Sequence, residues 1–406
     1  MAFNGFTIDH VTLAALDPFE ANCVALRTCS RKVEPLFGQA GAKRGDAIRI
    51  RKPAQFTVRT GQSWTGQNVN EQFDTLTLNY QIGIDFEMSS MERKLDLNSL
   101  TEQCLKPAAI RLANEVDRIV LRDVALRTYH NVGTYGTTPS STATYYDAGA
   151  RLSDMTAPRG KGQRHLNINP EMEGDIIQAI TPAQFNPSGK IGAMFTDADL
   201  DGTYQNGMNW HMDQNLYRHT NGARAGTILV NGATADGATT LVTDGWTGSG
   251  AVAEGDRFTI ADVFAVNPIT KATYPFLQPF VVTAAGTNAA GALTINISPT
   301  IRSTGAFQNV SALPADNAAL TFSGAASALA TIGLLWHKEA VALAIVPLEK
   351  PDGVNQASMK YDSLSGVGMR YCEWWDGDTD QWKSRFDIVF GVLAQRTEHI
   401  VAVLAA

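Results

Sequence analysis

The chain is poor in cysteine. Four thiols (Cys23, Cys29, Cys104, Cys372) stand in 406 residues, with no metal-ligand spacing and no secretory leader before them. That excludes a disulfide-stapled secreted scaffold and points to reduced thiols in a cytoplasm. Basic excess is missing too: 33 Lys and Arg against 40 Asp and Glu leave a formal charge of −7. A dedicated nucleic-acid binder needs a positive face to meet phosphates, so that class is disfavoured. Long apolar runs are absent as well. The most apolar late stretch is broken by His337, Lys338 and Glu339, and the start, MAFNGFTIDH, has neither the basic nor the apolar region of an export signal; no membrane span is expected.

Catalytic signatures are also lacking. There is no Gly-x-Ser-x-Gly elbow, Walker-type loop, dinucleotide fingerprint or His-Glu-x-x-His, so neither catalytic residues nor a cofactor is expected. Asp197, Asp199, Asp201 and Gly202 copy the opening of a calcium loop, but its twelfth position, which needs a bidentate carboxylate, is Met208. Asp376, Asp378 and Asp380 surround Gly377 between two apolar runs and read as a solvated hairpin turn. His211 and His219 lie eight apart near Asp213, with no Cys or Glu to complete a zinc set. No metal site is expected.

Against these absences stands one strong pattern. From Thr75 to Phe86 the apolar residues Leu76, Leu78, Tyr80, Ile82, Ile84 and Phe86 take every second position, the period of a strand with one buried face. An earlier run, Asp46 to Val58, alternates Ile48 and Ile50 with Arg49 and Arg51. The two runs are expected to pair antiparallel around a polar tip holding Trp64, roughly eleven paired residues making an arm about 36 Å long. Ser99 followed by Glu102 is a capping box. It predicts a helix that carries Leu105, Ala109, Leu112, Val116, Ile119, Val120 and Val124 on one side as far as His130, kinked near its start by Pro107.

The rest of the chain is more mixed. Residues 8–29 read as a helix bent at Pro18. Short helices are expected at Ala143–Met155 and Asp175–Ile180, a strand at Arg164–Asn169, and an irregular edge at Asp199–Gly222. Between Ala223 and Ala330 charges thin out, and six short β-type runs recur between Gly, Pro and Asn, the pattern of a small barrel or sandwich inserted between α+β regions. Gly366–Trp375, Lys383–Leu393 and His399–Leu404 close the chain with strands.

Charge is unevenly placed. Between Arg27 and Thr60 nine basic residues face only Glu34 and Asp46. A basic zone on an acidic protein suits docking onto an acidic surface, including another copy of the chain. Arg49, Arg51, Lys52, Arg59 and Trp64 are the candidate inter-subunit contacts; the alternative is a solvated face.

The order of these parts resembles the major capsid proteins of tailed phages, which share the Hong Kong 97-type fold, and more narrowly the coat proteins of short-tailed phages of the P-twenty-two type. The residues carrying the likeness are GAKRGDAIRIRKPAQFTVRTG (Gly41 to Gly61), TLTLNYQIGIDFEMSS (Thr75 to Ser90), LKPAAIRLANEVD (Leu105 to Asp117), EGDRFTIADVFAVNPIT (Glu254 to Thr270), WHKEAVALAIVPLEKP (Trp336 to Pro351) and the ending from Ser365 to Leu404. The resemblance implies an α+β capsid fold with an N-terminal helical arm (1–40), an extended two-stranded loop (41–90), a spine helix (91–135), a peripheral α+β region (136–222), an inserted β-barrel domain (223–330) and an axial β-rich domain (331–406). It further implies a homo-oligomer of pentamers and hexamers in an icosahedral shell, assembled in the host cytoplasm. The implied partners are a scaffolding protein, portal and decoration proteins, and double-stranded DNA held by weak non-specific contact. A surface adhesin or glycan-binding protein is the rival reading, suggested by the Thr/Gly/Asn-rich insert.

Overall fold

The computed structural model describes residues 8–33, 45–56, 58, 61–64, 66, 72–89, 104–160, 162–183, 202–204, 207–346, 348–349, 351, 356–361 and 367–406. They fall into two compact units that do not follow chain order. The closing stretch 331–406 is shared: Val341–Gln395 belongs to the first unit and the rest to the second.

In the first unit the N-terminal helix (Ile8–Asn22) keeps Pro18 inside it and breaks instead at Cys23–Val24, before a short turn of helix at Ala25–Thr28. The break is held by Asp117 of the long helix, whose carboxylate accepts from Val24 N (2.9 Å), Ala25 N (2.8 Å) and Cys23 Sγ (3.3 Å). A carboxylate on exposed N–H groups acts as a cap supplied from elsewhere in the chain.

The long helix spans Lys106–Arg127, shorter than the capping box predicts; Ser99 and Glu102 lie outside the described residues. Its expected apolar face is buried throughout. On another side Glu115 pairs with Arg118 and Arg111 at helical spacings. Pro107 stands in the first turn of this helix, where the backbone N–H has no intrahelical partner and proline is tolerated.

The expected arm is only half right. Ala47–Arg51 does pair antiparallel with Phe73–Thr77, five residues against five, about 17 Å of ladder rather than 36 Å. At Leu78–Asn79 the second strand breaks, and Tyr80–Ser89 pairs with Gln381–Ala394. That 14-residue strand organises a five-stranded sheet. Tyr80–Ser89 takes one of its edges, while Gly368–Asp376 and then Val341–Val346 share the other. Gln356–Tyr361 extends the sheet beyond Gly368–Asp376.

The second unit is built on a seven-stranded sheet in the order His130–Gly133, Ile400–Ala405, Leu329–His337, Arg164–Ile168, Met208–Met212 and Gly202–Tyr204, with Arg218–Thr220 beside the start of Leu329–His337. Three of these strands come from the stretch expected to be an irregular edge. Ile400–Ala405 is buried at every position and Leu329–His337 at all but its first, as central strands covered on both faces should be. The helix Thr142–Asp154, begun by the Ser141 hydroxyl accepting from Ala143 N, packs on Ile400–Ala405 and His130–Gly133. Pro170–Ala183 is the next helix, longer than expected.

The inserted segment forms a six-stranded sheet in the order Leu320–Phe322, Arg257–Val266, Thr273–Val282, Leu293–Ile301, Ala238–Trp246 and Gly226–Val230. Its ends meet: Leu229 bridges Ala319, Val230 N donates to Ala318 O, and Asn317 N donates to Val230 O. The sheet closes into a barrel around Phe258, Phe280, Leu241, Ile295 and Trp246. Gly226 and Gly245 permit one tight step of this closure. Both have positive φ, and a Cβ on either would meet a carbonyl oxygen at about 2 Å, which no side chain tolerates.

Candidate inter-subunit surface

The strand Ala47–Arg51 separates its residues into two faces. Ile48 and Ile50 pack on a buried cluster of Val33, Leu76, Leu78, Ala344, Val346 and Val389. Arg49 and Arg51 therefore point the other way and are exposed, as the alternation requires. The Arg49 guanidinium lies 4.7 Å from the centre of the Phe73 ring, itself 54% exposed. Lys52 Nζ is 2.7 Å from Asp74 Oδ2, so this cation is engaged within the subunit.

The segment beyond, Pro53–Gln72, belongs to the second unit. Its described side chains include three large exposed apolar groups: Phe56 at 59%, Val58 at 89% and Trp64 at 86%. Arg59 lies outside the described residues. Apolar and aromatic groups left in water are what an interface core uses, and Trp, Tyr and Arg dominate such contacts.

The polar motifs find other places. Asp197, Asp199 and Asp201 lie outside the described residues, and Gly202 opens a strand. Asp376 closes its hairpin by accepting from Asp378 N, Thr379 Oγ1 and Lys383 Nζ. His211 and His219 part company. His211 Nε2 faces His165 Nδ1 at 3.0 Å, whereas His219 Nε2 lies 3.0 Å from Asp256 Oδ1. Among the described residues no three His, Cys, Asp or Glu side chains gather as a metal set, and no helix is long and apolar enough to cross a membrane.

Sequence reasoning missed the buried charges that fasten the barrel. Asp256, fully buried, accepts from Gly222 N, Ala253 N and His219 and pairs with Arg224 at 3.2 Å. The next residue, Arg257, also fully buried, donates from Nε to Thr128 O and from Nη2 to Ala125 O, both 2.8 Å. Those carbonyls end the long helix, where a cation also meets the negative end of the helix dipole. The sequence signal was faint: adjacent opposite charges at the start of an apolar strand, which burial makes costly unless both are partnered.

The family model for the P22 coat protein, gene protein 5, matches residues 1–404. The chain belongs to the P22 coat protein family. No curated protein matches the sequence. Solved structures similar to this chain include one described as Mycobacterium phage Che8, at 11% identity over 94% of this chain and 90% of that one, with a TM-score of 0.47. Another is the asymmetric unit of the bacteriophage PhiM1 mature capsid, at 10% identity over 100% and 90% with a TM-score of 0.45.

As a member of the P22 coat protein family, the chain is a phage capsid protein, a structural component of the virion without enzymatic activity. Its fold is a mixed α+β one with a β-barrel insertion. The barrel is fastened by Asp256 and Arg257, both inside the EGDRFTIADVFAVNPIT stretch that carries part of the family likeness.

Proposed function

We propose that this coat protein assembles as pentamers and hexamers into the icosahedral head of a tailed phage that encloses double-stranded DNA. The observation that supports this reading is the exposed face of Ala47–Arg51. Its isoleucines anchor the strand to the subunit's core, while its arginines, with Phe73 beside them, are left facing solvent. Such a face is stable when covered by a neighbour, and passing from copy to copy until a ring closes is the way heterologous contacts build closed assemblies. The chain's net charge of −7 suits a wall that must not hold packed DNA by counterion release. Assembly in the host cytoplasm with a scaffolding protein, and later contact with portal and decoration proteins, belong to the same reading.

Negative-stain microscopy of the purified chain, with and without its scaffolding protein, tests it. Closed shells or rings of five and six are expected. A persistent monomer that binds glycans would replace this reading with that of an adhesin.

A further inference from the structure

Six of the chain's seven histidines stand on the seven-stranded sheet or in the turn leading to its last strand; apart from His219, which is held by Asp256, they are His130, His165, His211, His337 and His399. His130 is fully buried, and neither of its ring nitrogens has a hydrogen-bond partner. It faces Arg151 of the covering helix and His399 of the turn. His165 Nδ1 meets His211 Nε2 at 3.0 Å, and His165 Nε2 is buried without a partner; His337 and Lys338 face the same ring. His399 Nε2 donates to Met155 O at 3.1 Å, beside Arg396 and Arg164. His337 Nε2 contacts Gln163 Oε1 at 3.2 Å. The fixed positive charges around the cluster are Arg151, Arg164 with Arg159 beside it, Lys338 and Arg396; the opposing acids are Glu339 beside His337, Asp154 and Asp147 beside Arg151, and Glu398 beside Tyr129, whose ring lies against His130.

We propose that this histidine cluster is an acid-triggered latch: neutral imidazoles hold the helix Thr142–Asp154 and the strand Ile400–Ala405 on the sheet, and protonation releases them. A second proton on the facing nitrogens of His165 and His211 sets two donors against each other. A proton on His130 creates a buried cation with no acceptor, next to Arg151. Once the helix lifts, water solvates the imidazoliums of His130 and His399, beside Arg151 and Met155.

Burial, then the neighbouring positive groups, push His130 and His165 down to about 3 and His399 to about 4 from the ordinary 6.5; burial lowers His337 as well. The open form therefore binds more protons than the closed form between pH 6.5 and about 3, so closure is complete above pH 6.5 and is lost as pH falls through that window. Each histidine neutral when closed and protonated when open raises the opening constant about tenfold per pH unit.

Hydrogen exchange of the full-length chain, corrected for intrinsic rates and read at Ile400–Ala405 between pH 7 and 4.5, tests the latch. The opening constant is expected to rise more than tenfold per pH unit below pH 6, and the slope to drop by about one tenfold step per unit in His130→Phe. An opening constant flat with pH, or a slope unchanged in both His130→Phe and His399→Gln, overturns the proposal. Carbon-detected titration of the wild-type histidines gives a check that needs no variant. His130 and His165 titrating near 6.5 while the sheet stays closed would also sink it.

Discussion

Arg257 reaches across 129 residues of sequence to donate to the carbonyl oxygen of Thr128 at 2.8 Å, and its second nitrogen takes Ala125 O. A barrel strand thus finishes the last turn of the long helix. Truncating Arg257 to alanine takes this donor from Thr128 O, leaves Ala125 O with only the 3.3 Å bond from Thr128 N, and removes a charge partnered at the helix end. The expected loss is about 3 kcal/mol in denaturant unfolding. Arg257→Lys keeps the charge but cannot span both oxygens in a fixed fork, so it should fall between wild type and alanine.

The barrel's own core, from Ile228 to Val310, needs nothing from outside the insert. A fragment 223–330 is therefore expected to fold alone, with a β-type circular dichroism spectrum and a cooperative melt. In that fragment Arg257 loses Thr128 and Ala125 and becomes solvated, so Arg257→Ala should cost less than about 0.5 kcal/mol there. Equal costs in fragment and full chain would place the arginine's worth inside the barrel instead of at the helix end.

Local pattern carried the reading of the fold as far as local pattern can. The alternation from Leu76 to Phe86 is real, since Leu76 and Leu78 are buried and Ile82, Ile84 and Phe86 half-buried. What it could not reveal is that the strand changes partner at Leu78–Asn79, because both halves have the same period and the new partner begins some 300 residues on. Met208–Met212 went unrecognised as a strand for the opposite reason. Only Met208 and Trp210 are buried, and the Asn209 and His211 that alternate with them read as loop. The arm residues Arg49 and Arg51 were legible because alternation alone fixes their face. Asp256, His219 and Arg257 were not, because each is explained by a partner between 34 and 132 residues away.

Asp117 offers a test within the first unit. Burial pushes the Cys23 thiol well above its ordinary value, and the Asp117 carboxylate beside it pushes in the same direction. Cys23 should therefore resist alkylation at pH 8, where a solvent-exposed thiol reacts readily. Asp117→Asn offers the helix break at Val24 and Ala25 a single neutral acceptor in place of two charged ones, at a cost of about 1–2 kcal/mol. Iodoacetamide labelling of Cys23 should quicken in that variant; an unchanged rate would mean the break is held by packing alone.

The arm carries the prediction with most bearing on assembly. Ile48 and Ile50 fasten the strand and Lys52 pairs with Asp74, while Arg49 and Arg51 share the exposed face that a neighbour would meet. Within the subunit Arg49→Glu gives up its position over the Phe73 ring, an exposed cation–π contact worth about 0.5–1 kcal/mol. The double change Arg49→Glu, Arg51→Glu should therefore cost no more than about 1 kcal/mol in unfolding and leave a soluble, folded chain. Across an interface with an acidic patch the same change sets like charge against like in every repeated contact, at several kcal/mol each. Light scattering and microscopy should then show no shells, while salt added to wild type slows assembly by screening the attraction. Normal assembly of the double variant would mean the arm docks through its aromatic groups without help from charge. Misfolding would mean the arginines serve the subunit's own core, against the exposure they show.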